Sequence, residues 1–451
     1  MRIVHLGLSA FFRAHQAWYT HRLNATPDGG AWGIAAFTGR RPDEAIRLQA
    51  QDGLYTLVTR SAAGDAFEVV SSISAAYPAD DTAAWLRVFA SDAVVLVTLT
   101  ITEAGYCLAP DGTLDRARAD VAADIESLRA DFRATVATAP AKLVQGLRAR
   151  REVLGSGLAI VSCDNLASNG ERTRDAVLAL AGAVDAELCD WIEANVVFPG
   201  TMVDRITPRA TEADRRLVLE GTGWIDESPV VTEPFSEWVI EQRFPGARPA
   251  WELVGARFVV DVQPYEQRKL LLLNGGHSLL AYLGLLRGHS TIAEAVADPV
   301  CRAALDDWWA ECVPLLSFDA AEIDGYCASL LERWSNPRIR HQLAQIATDG
   351  SLKLRMRTAP VLRAHAASGS PSPAGELVFA AWLANIRGAG VPPGDADPTV
   401  AELAAPDVEV AIVRLLERFV PELAGDVELV QRISEAYQSC IVPSVSRLTG
   451  R

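Results

Sequence analysis

Lys269, Asn274 and His277 fall within nine residues of one another, in the stretch Pro264-Tyr265-Glu266-Gln267-Arg268-Lys269-Leu270-Leu271-Leu272-Leu273-Asn274-Gly275-Gly276-His277-Ser278. A lysine pressed among leucines loses hydration, which disfavours its charged form and lowers its pKa toward the working pH. Such a lysine can take the proton of an alcohol. An asparagine amide donates to an oxygen on which charge develops, and a neutral histidine orients a hydroxyl by donating or accepting. Asn274 and His277 are three apart and share a helical face. Lys269 lies about two turns earlier at roughly 100° per residue, close in angle to His277. The same spacing also suits a lysine reaching for water, a capping asparagine and a core histidine bonded to backbone, so packing and chemistry both remain open on this stretch alone.

These residues need elements to hold them. The apolar run 279–286 reads as a helix buried on most sides. At the N-terminus, residues 2–15 read as a strand, a tight turn of small residues and a helix. That arrangement lets a pyrophosphate approach main-chain N–H groups. Its candidate cofactor contacts are Leu6, Gly7, Leu8, Ser9, Ala10, Phe11 and Arg13, although Ser9 stands where the second glycine of the G-x-G-x-x-G pattern would be. A second strand at 32–37 is followed by Thr38-Gly39-Arg40-Arg41, with Asp43 and Glu44 slightly later. Thr38 and Arg40 join the candidate cofactor contacts. An acid at this place favours NAD, whereas the two arginines, Arg40 and Arg41, either accept a 2′-phosphate or are solvated loop charges, so NADP is a possible second cofactor.

Further along, residues 54–59 and 67–73 are predicted to form a hairpin-type insertion, and 93–100 a strand buried on both faces. Helical spacing runs over 113–150. Another buried strand, 157–165, ends in Cys163-Asp164-Asn165, where open α/β sheets place ligand contacts. Asn169-Gly170 carries a turn signal and precedes a helix to about residue 194. Asp204-Arg205, set among apolar residues, reads as an ion pair or a polar-substrate contact. Beyond His277 strand signals fade into helical pieces at 295–311, 323–333, 337–346, 375–387 and 411–418, with a turn at 348–353. Residues 368–373 and 388–398 read as Pro/Gly/Ser-rich connections. The predicted architecture is an α/β Rossmann-like dinucleotide-binding domain, 1–256, followed by a mostly α-helical C-terminal domain, 257–451, with the active site at the seam.

The 451 residues carry a net charge of −15, which argues against a nucleic-acid partner. The seven cysteines are scattered without a Cys-x-x-Cys, so free thiols and no metal site are expected. The N-terminus shows no basic leader, and no apolar stretch is predicted to span a bilayer. Together these features predict a cytoplasmic protein, a monomer or weak homo-oligomer.

Several blocks resemble the mannitol dehydrogenase family, which includes fructuronate reductase. They are His5-Leu6-Gly7 with Phe11, Arg13 and His15; Ser162-Cys163-Asp164-Asn165; Phe198-Pro199 with Met202-Val203-Asp204-Arg205-Ile206; Glu233-Pro234-Phe235; Pro264-Tyr265-Glu266; Lys269 with Asn274-Gly275 and His277-Ser278; and Asp349-Gly350-Ser351 with Lys353. The resemblance implies metal-independent, NAD(P)-linked interconversion of a polyol or aldonate alcohol and its ketone. Small-molecule substrates of the sugar alcohol, ketose or hexuronate type follow from it. By the family pattern Lys269 is the general base, Asn165 and Asn274 hold the developing alkoxide, His277 positions the reacting oxygen and Glu266 relays the proton. Val203, Asp204 and Lys353 line the substrate pocket. Gln345 stands where mannitol dehydrogenases tend to have an arginine, and Arg338-Ile339-Arg340-His341 is closer to fructuronate reductases. For those, Arg340, Lys353 or Arg357 are candidate carboxylate ligands by charge. The first reading is the D-mannitol/D-fructose pair, with D-mannonate or D-arabinitol as alternative substrates and a sensor that binds dinucleotide without catalysis as the non-enzyme alternative.

Overall fold

The computed structural model describes residues 1–389, 394, 400, 402–403 and 407–441. The predicted 388–398 connection falls mostly outside them. The chain divides into two compact units, Met1–Gln263 and Pro264–Arg451. The division falls later than the expected 256/257 boundary because a short strand just beyond that boundary pairs back into the first unit.

The N-terminal unit contains eleven strands: β1 (Ile3–Leu6), β2 (Ile34–Phe37), β3 (Tyr55–Ser61), β4 (Gly64–Val70), β5 (Ile73–Tyr77), β6 (Leu96–Leu99), β7 (Ala159–Ser162), β8 (Thr201–Asp204), β9 (Val230–Thr232), β10 (Glu237–Glu241) and β11 (Arg257–Val259). Five form an open sheet in the order β5-β2-β1-β6-β7, and every pairing in it is parallel. Its central strands, such as Ile-Val-His-Leu of β1, are buried along their whole length, because helices cover both faces of a parallel sheet. The expected hairpin exists as the antiparallel pair β3–β4. Ile73, however, opens β5 of the main sheet, and β3 also pairs with β9 in a separate three-stranded sheet. A third sheet has the order β11-β10-β8. There β11 lies parallel to β10, which is what keeps residues 257–259 in this unit.

Asn169-Gly170 is not a turn, since Asn169 opens the helix Asn169–Val184. The glycine has a packing cause: a Cβ on Gly170 would lie 2.7 Å from both Gly200 N and Phe198 O. Arg205 is not paired with Asp204. Neighbouring residues of an extended strand face opposite sides, and the buried Arg205 guanidinium donates to the main-chain oxygens of Ala14 and Glu233. Burial brings its pKa down to about 10.

The described part of the C-terminal unit is built from helices around one core, with Trp308, Trp334 and Trp382 among its buried side chains. Its central element runs continuously over Gln263–Leu286. Contrary to the sequence expectation, this helix passes the length and composition criteria for a membrane span, but 78% of its apolar window is buried inside the protein. Such burial marks a core helix. The predicted 337–346 helix shrinks to Leu343–Ile346, and the turn before Lys353 becomes the short helix Gly350–Lys353. Asp349 takes a left-handed φ of 52° ahead of it, a conformation that aspartate tolerates better than most residues.

Candidate active site

In the N-terminal unit a cavity of about 570 Å³ opens at the carboxyl ends of β1, β2 and β6. It is lined by Leu6, Gly7, Leu8, Ser9 and Arg40 from the expected set, and ligands of open α/β sheets bind in this crevice. Gly7 has a φ of +108°, and a Cβ there would lie 2.0 Å from Thr100 O, so no other residue lets the end of β1 approach β6 this closely. Ser9 needs no such freedom. Its backbone is extended and its hydroxyl caps Phe12 N at 3.2 Å, which explains how serine replaces glycine here. The glycine cradle and the crevice fit a dinucleotide. Arg13 does not line the cavity: it is buried and bonded to Ser228 O at 2.5 Å and to Glu44 at 2.8 Å. Ala10, Phe11 and Thr38 also lie outside the lining.

The sequence reading missed the opposite wall, formed by Thr100, Ile101, Thr102, Arg118, Asp120 and Lys142. The end of β6 was the available signal, because every parallel strand of such a sheet delivers residues to the same edge. Arg118 is tied to Asp120 at 2.7 Å, and the Lys142 ammonium donates to Ala79 O at 2.5 Å, its pKa lowered by burial.

Asn165 is exposed just past β7, while Val203 and Asp204 end the buried strand β8. Asn169 clips these strand ends together: its Nδ2 donates to Thr201 O at 3.0 Å, and its Oδ1 accepts from Thr201 N at 3.0 Å.

In the C-terminal unit Lys269 and Asn274 lie on a seven-residue π-helical segment, Lys269–Gly275, inside the central helix. In an α-helix residues five apart would be turned about 140° from each other. The i→i+5 ladder widens the turn and brings residues five apart to the same side, so Lys269 and Asn274 share a face that α geometry denies them. Helix interiors do not widen without support, and here side chains reach the displaced carbonyls. Trp308 Nε1 donates to Leu271 O at 2.9 Å and Trp309 Nε1 to Leu272 O at 3.1 Å. Arg357 Nη1 donates to Asn274 O and to Ser278 Oγ, each at 3.0 Å. Gly275 lets Trp308 close on the segment, since a Cβ would lie 2.6 Å from the indole ring. Preceding Lys269, Arg268 is buried against Glu322 at 3.3 Å and over the Tyr326 ring at 4.1 Å, which anchors this end of the helix.

His277 is buried, its ring 4.9 Å from that of Trp334 and 5.2 Å from that of His341. Burial first, then the charges of His341, Arg333, Arg357 and Lys353, holds its pKa well below the ordinary imidazole value. His277 is therefore neutral near pH 7 and able to donate or accept. Lys353 Nζ donates to Ile346 O at 2.9 Å and Thr348 O at 2.5 Å. Glu266 is half-buried, one helical turn before Lys269, whereas Arg340 and Gln345 are exposed.

His289, Asp298 and Cys301 do form a cluster of metal-ligand types, their donor atoms within 4.8 Å of one another. Arg287 and His289 both reach Asp298 Oδ2, at 2.7 and 2.8 Å, and Asp298 Oδ1 caps Val300 N at 2.8 Å. Burial pushes the Cys301 thiol up to about 12. The carboxylate is thus engaged as an ion pair and helix cap, and the sulfur keeps its proton.

Residues 1–253 match the mannitol dehydrogenase Rossmann domain, and residues 261–441 match the mannitol dehydrogenase C-terminal domain. The chain belongs to the mannitol dehydrogenase family. It is 38% identical to the D-mannonate oxidoreductase of Escherichia coli, over 97% of this chain and 92% of that one. It is 39% identical to the D-arabinitol 4-dehydrogenase of Ralstonia nicotianae, over 86% and 83%. Among solved structures it resembles the ternary complex of Pseudomonas fluorescens mannitol 2-dehydrogenase with NAD and D-mannitol. There the TM-score is 0.79 at 35% identity, covering 97% of this chain and 91% of that one. As a mannitol dehydrogenase family member the protein is an oxidoreductase, and its first unit is the dinucleotide-binding domain.

Proposed function

We propose that the protein is an NAD-dependent, metal-independent cytoplasmic enzyme interconverting a secondary alcohol and a ketone on an open-chain sugar acid, the D-mannonate and D-fructuronate type. The family supports NAD-linked alcohol chemistry, and the relatives' near-equal identities leave the substrate open. The observation that carries the acidic substrate is the group of Arg333, Lys353 and Arg357 around neutral His277. Cations gathered in a partly water-excluded place suit a carboxylate, which guanidinium groups bind through paired hydrogen bonds.

Lys269 takes the hydroxyl proton, and Asn165 and Asn274 donate to the oxygen as it becomes an alkoxide. His277 orients that oxygen, and Glu266, one turn from Lys269, passes the proton toward solvent. Bound NAD supplies the hydride acceptor. The second reading is a neutral polyol, D-mannitol or D-arabinitol, and the Lys353 ammonium favours it, being already engaged by two main-chain oxygens.

Arg357→Gln tests the acidic substrate. Because Arg357 also supports the turn at Asn274, both sugars lose some turnover, but KM for D-fructuronate is expected to rise about tenfold or more beyond that for D-fructose, the effect of losing one charge-assisted hydrogen bond. An equal rise for both sugars would remove the carboxylate role.

A further inference from the structure

Asp164 directly precedes Asn165, and nothing above gives its carboxyl a task. Its Oδ2 accepts from the Tyr106 hydroxyl at 2.5 Å and its Oδ1 from Leu166 N at 3.2 Å. Its main-chain oxygen accepts from Asn169 Nδ2 at 3.3 Å, the same amide that holds Thr201 of β8. Tyr106 is buried and ends the short helix Glu103–Tyr106, whose Ala104 and Gly105 line the dinucleotide cavity. The main chain at Ile101, also in the lining, faces the carboxyl as well.

We propose that Asp164, clamped by Tyr106, is a positioning residue that fixes the Asn165 loop against the wall of the dinucleotide cavity. The carboxylate joins the segment after β6 to the segment after β7, so ionised Asp164 holds the cavity wall and Asn165 in register. The role assigned to Asn165 rests on the reading given under Proposed function, whereas the link to the cavity wall does not.

The clamp carries a pH dependence. Burial raises the Asp164 carboxyl to about 6, against the hydrogen bonds from Tyr106, Leu166 N, Asn169 and Ile101 that favour its ionised form. The titratable groups facing it are the Tyr106 phenol and the Cys163 thiol, both raised well above their usual values and therefore protonated. Ser162 and Thr173 face the phenol as hydroxyls. Asp164 is thus charged near pH 7 and becomes neutral below about 6, when Tyr106 no longer donates to an anion.

Two variants and two readouts test this. NADH affinity, followed by protein fluorescence across pH, and reductive kcat/KM are both expected to fall below about pH 6 in the unsubstituted protein. Tyr106→Phe removes a hydrogen bond to the ionised form and should move both falls upward by about one to two pH units. Asp164→Asn, neutral at every pH, should abolish both falls and hold NADH affinity and kcat/KM near their low-pH values throughout. A low-pH fall in NADH affinity that stays in place in both variants overturns the proposal, as does an Asp164→Asn affinity that equals, at every pH, that of the unsubstituted protein near pH 7. If the affinity shifts while no ketose or ketouronate is reduced, the clamp stands and the catalytic reading fails.

Discussion

Lys269→Ala is expected to lower kcat by about 10²- to 10⁴-fold, the usual contribution of a positioned acid or base, while NADH binds as before. The separation follows from where the groups lie. The dinucleotide cavity is lined entirely by residues of the N-terminal unit, whereas Lys269 belongs to the central helix of the C-terminal unit. Lys269 is the amine set on the widened turn beside Asn274. Steady-state kinetics with fluorescence titration of NADH checks both halves. Turnover within a few-fold of the unsubstituted protein would remove Lys269 as the base. Loss of NADH binding together with kcat would make it structural instead.

Gly275→Ala should act through geometry. The added Cβ would sit 2.6 Å from the Trp308 ring, and the indole cannot retreat without giving up its hydrogen bond to Leu271 O. Overpacking of this kind costs about 1–3 kcal/mol, and the strained segment carries Lys269 and Asn274, so kcat should fall along with stability. Gly325 supplies the contrast. It lies exposed in the helix Ala320–Trp334 with nothing within 4 Å of an added Cβ. Gly325→Ala should therefore stabilise by about 0.5–1 kcal/mol. Thermal unfolding of the two variants decides the matter; equal shifts would show that the π-helical segment is not held by Trp308.

Much of this was legible in the sequence, and the exceptions have physical causes. The Lys269, Asn274 and His277 types and the two-part architecture follow from local pattern. The π-helical turn does not, because the donors that sustain it, Trp308, Trp309 and Arg357, come from distant parts of the chain. Periodicity assumes one helix geometry and cannot register donors from elsewhere. Arg13 follows the glycine turn and so reads as a cofactor contact, yet its charge is taken by Glu44 on the helix Asp43–Ala50 that follows β2. The β5 strand was merged with the hairpin because the five residues 71–75 hold no turn glycine or proline. Gly170 read as turn punctuation, although its absent side chain serves a close approach to 198–200. In each case a tertiary contact overrode a local signal.

The most direct measurement is reduction of D-fructuronate beside D-fructose with NADH at pH 7, comparing kcat/KM. Turnover of D-fructuronate with the larger kcat/KM is the predicted result and would give the cations around His277 their ligand. A preference for D-fructose would contradict the acidic substrate and leave a neutral-polyol dehydrogenase with the same Lys269 chemistry.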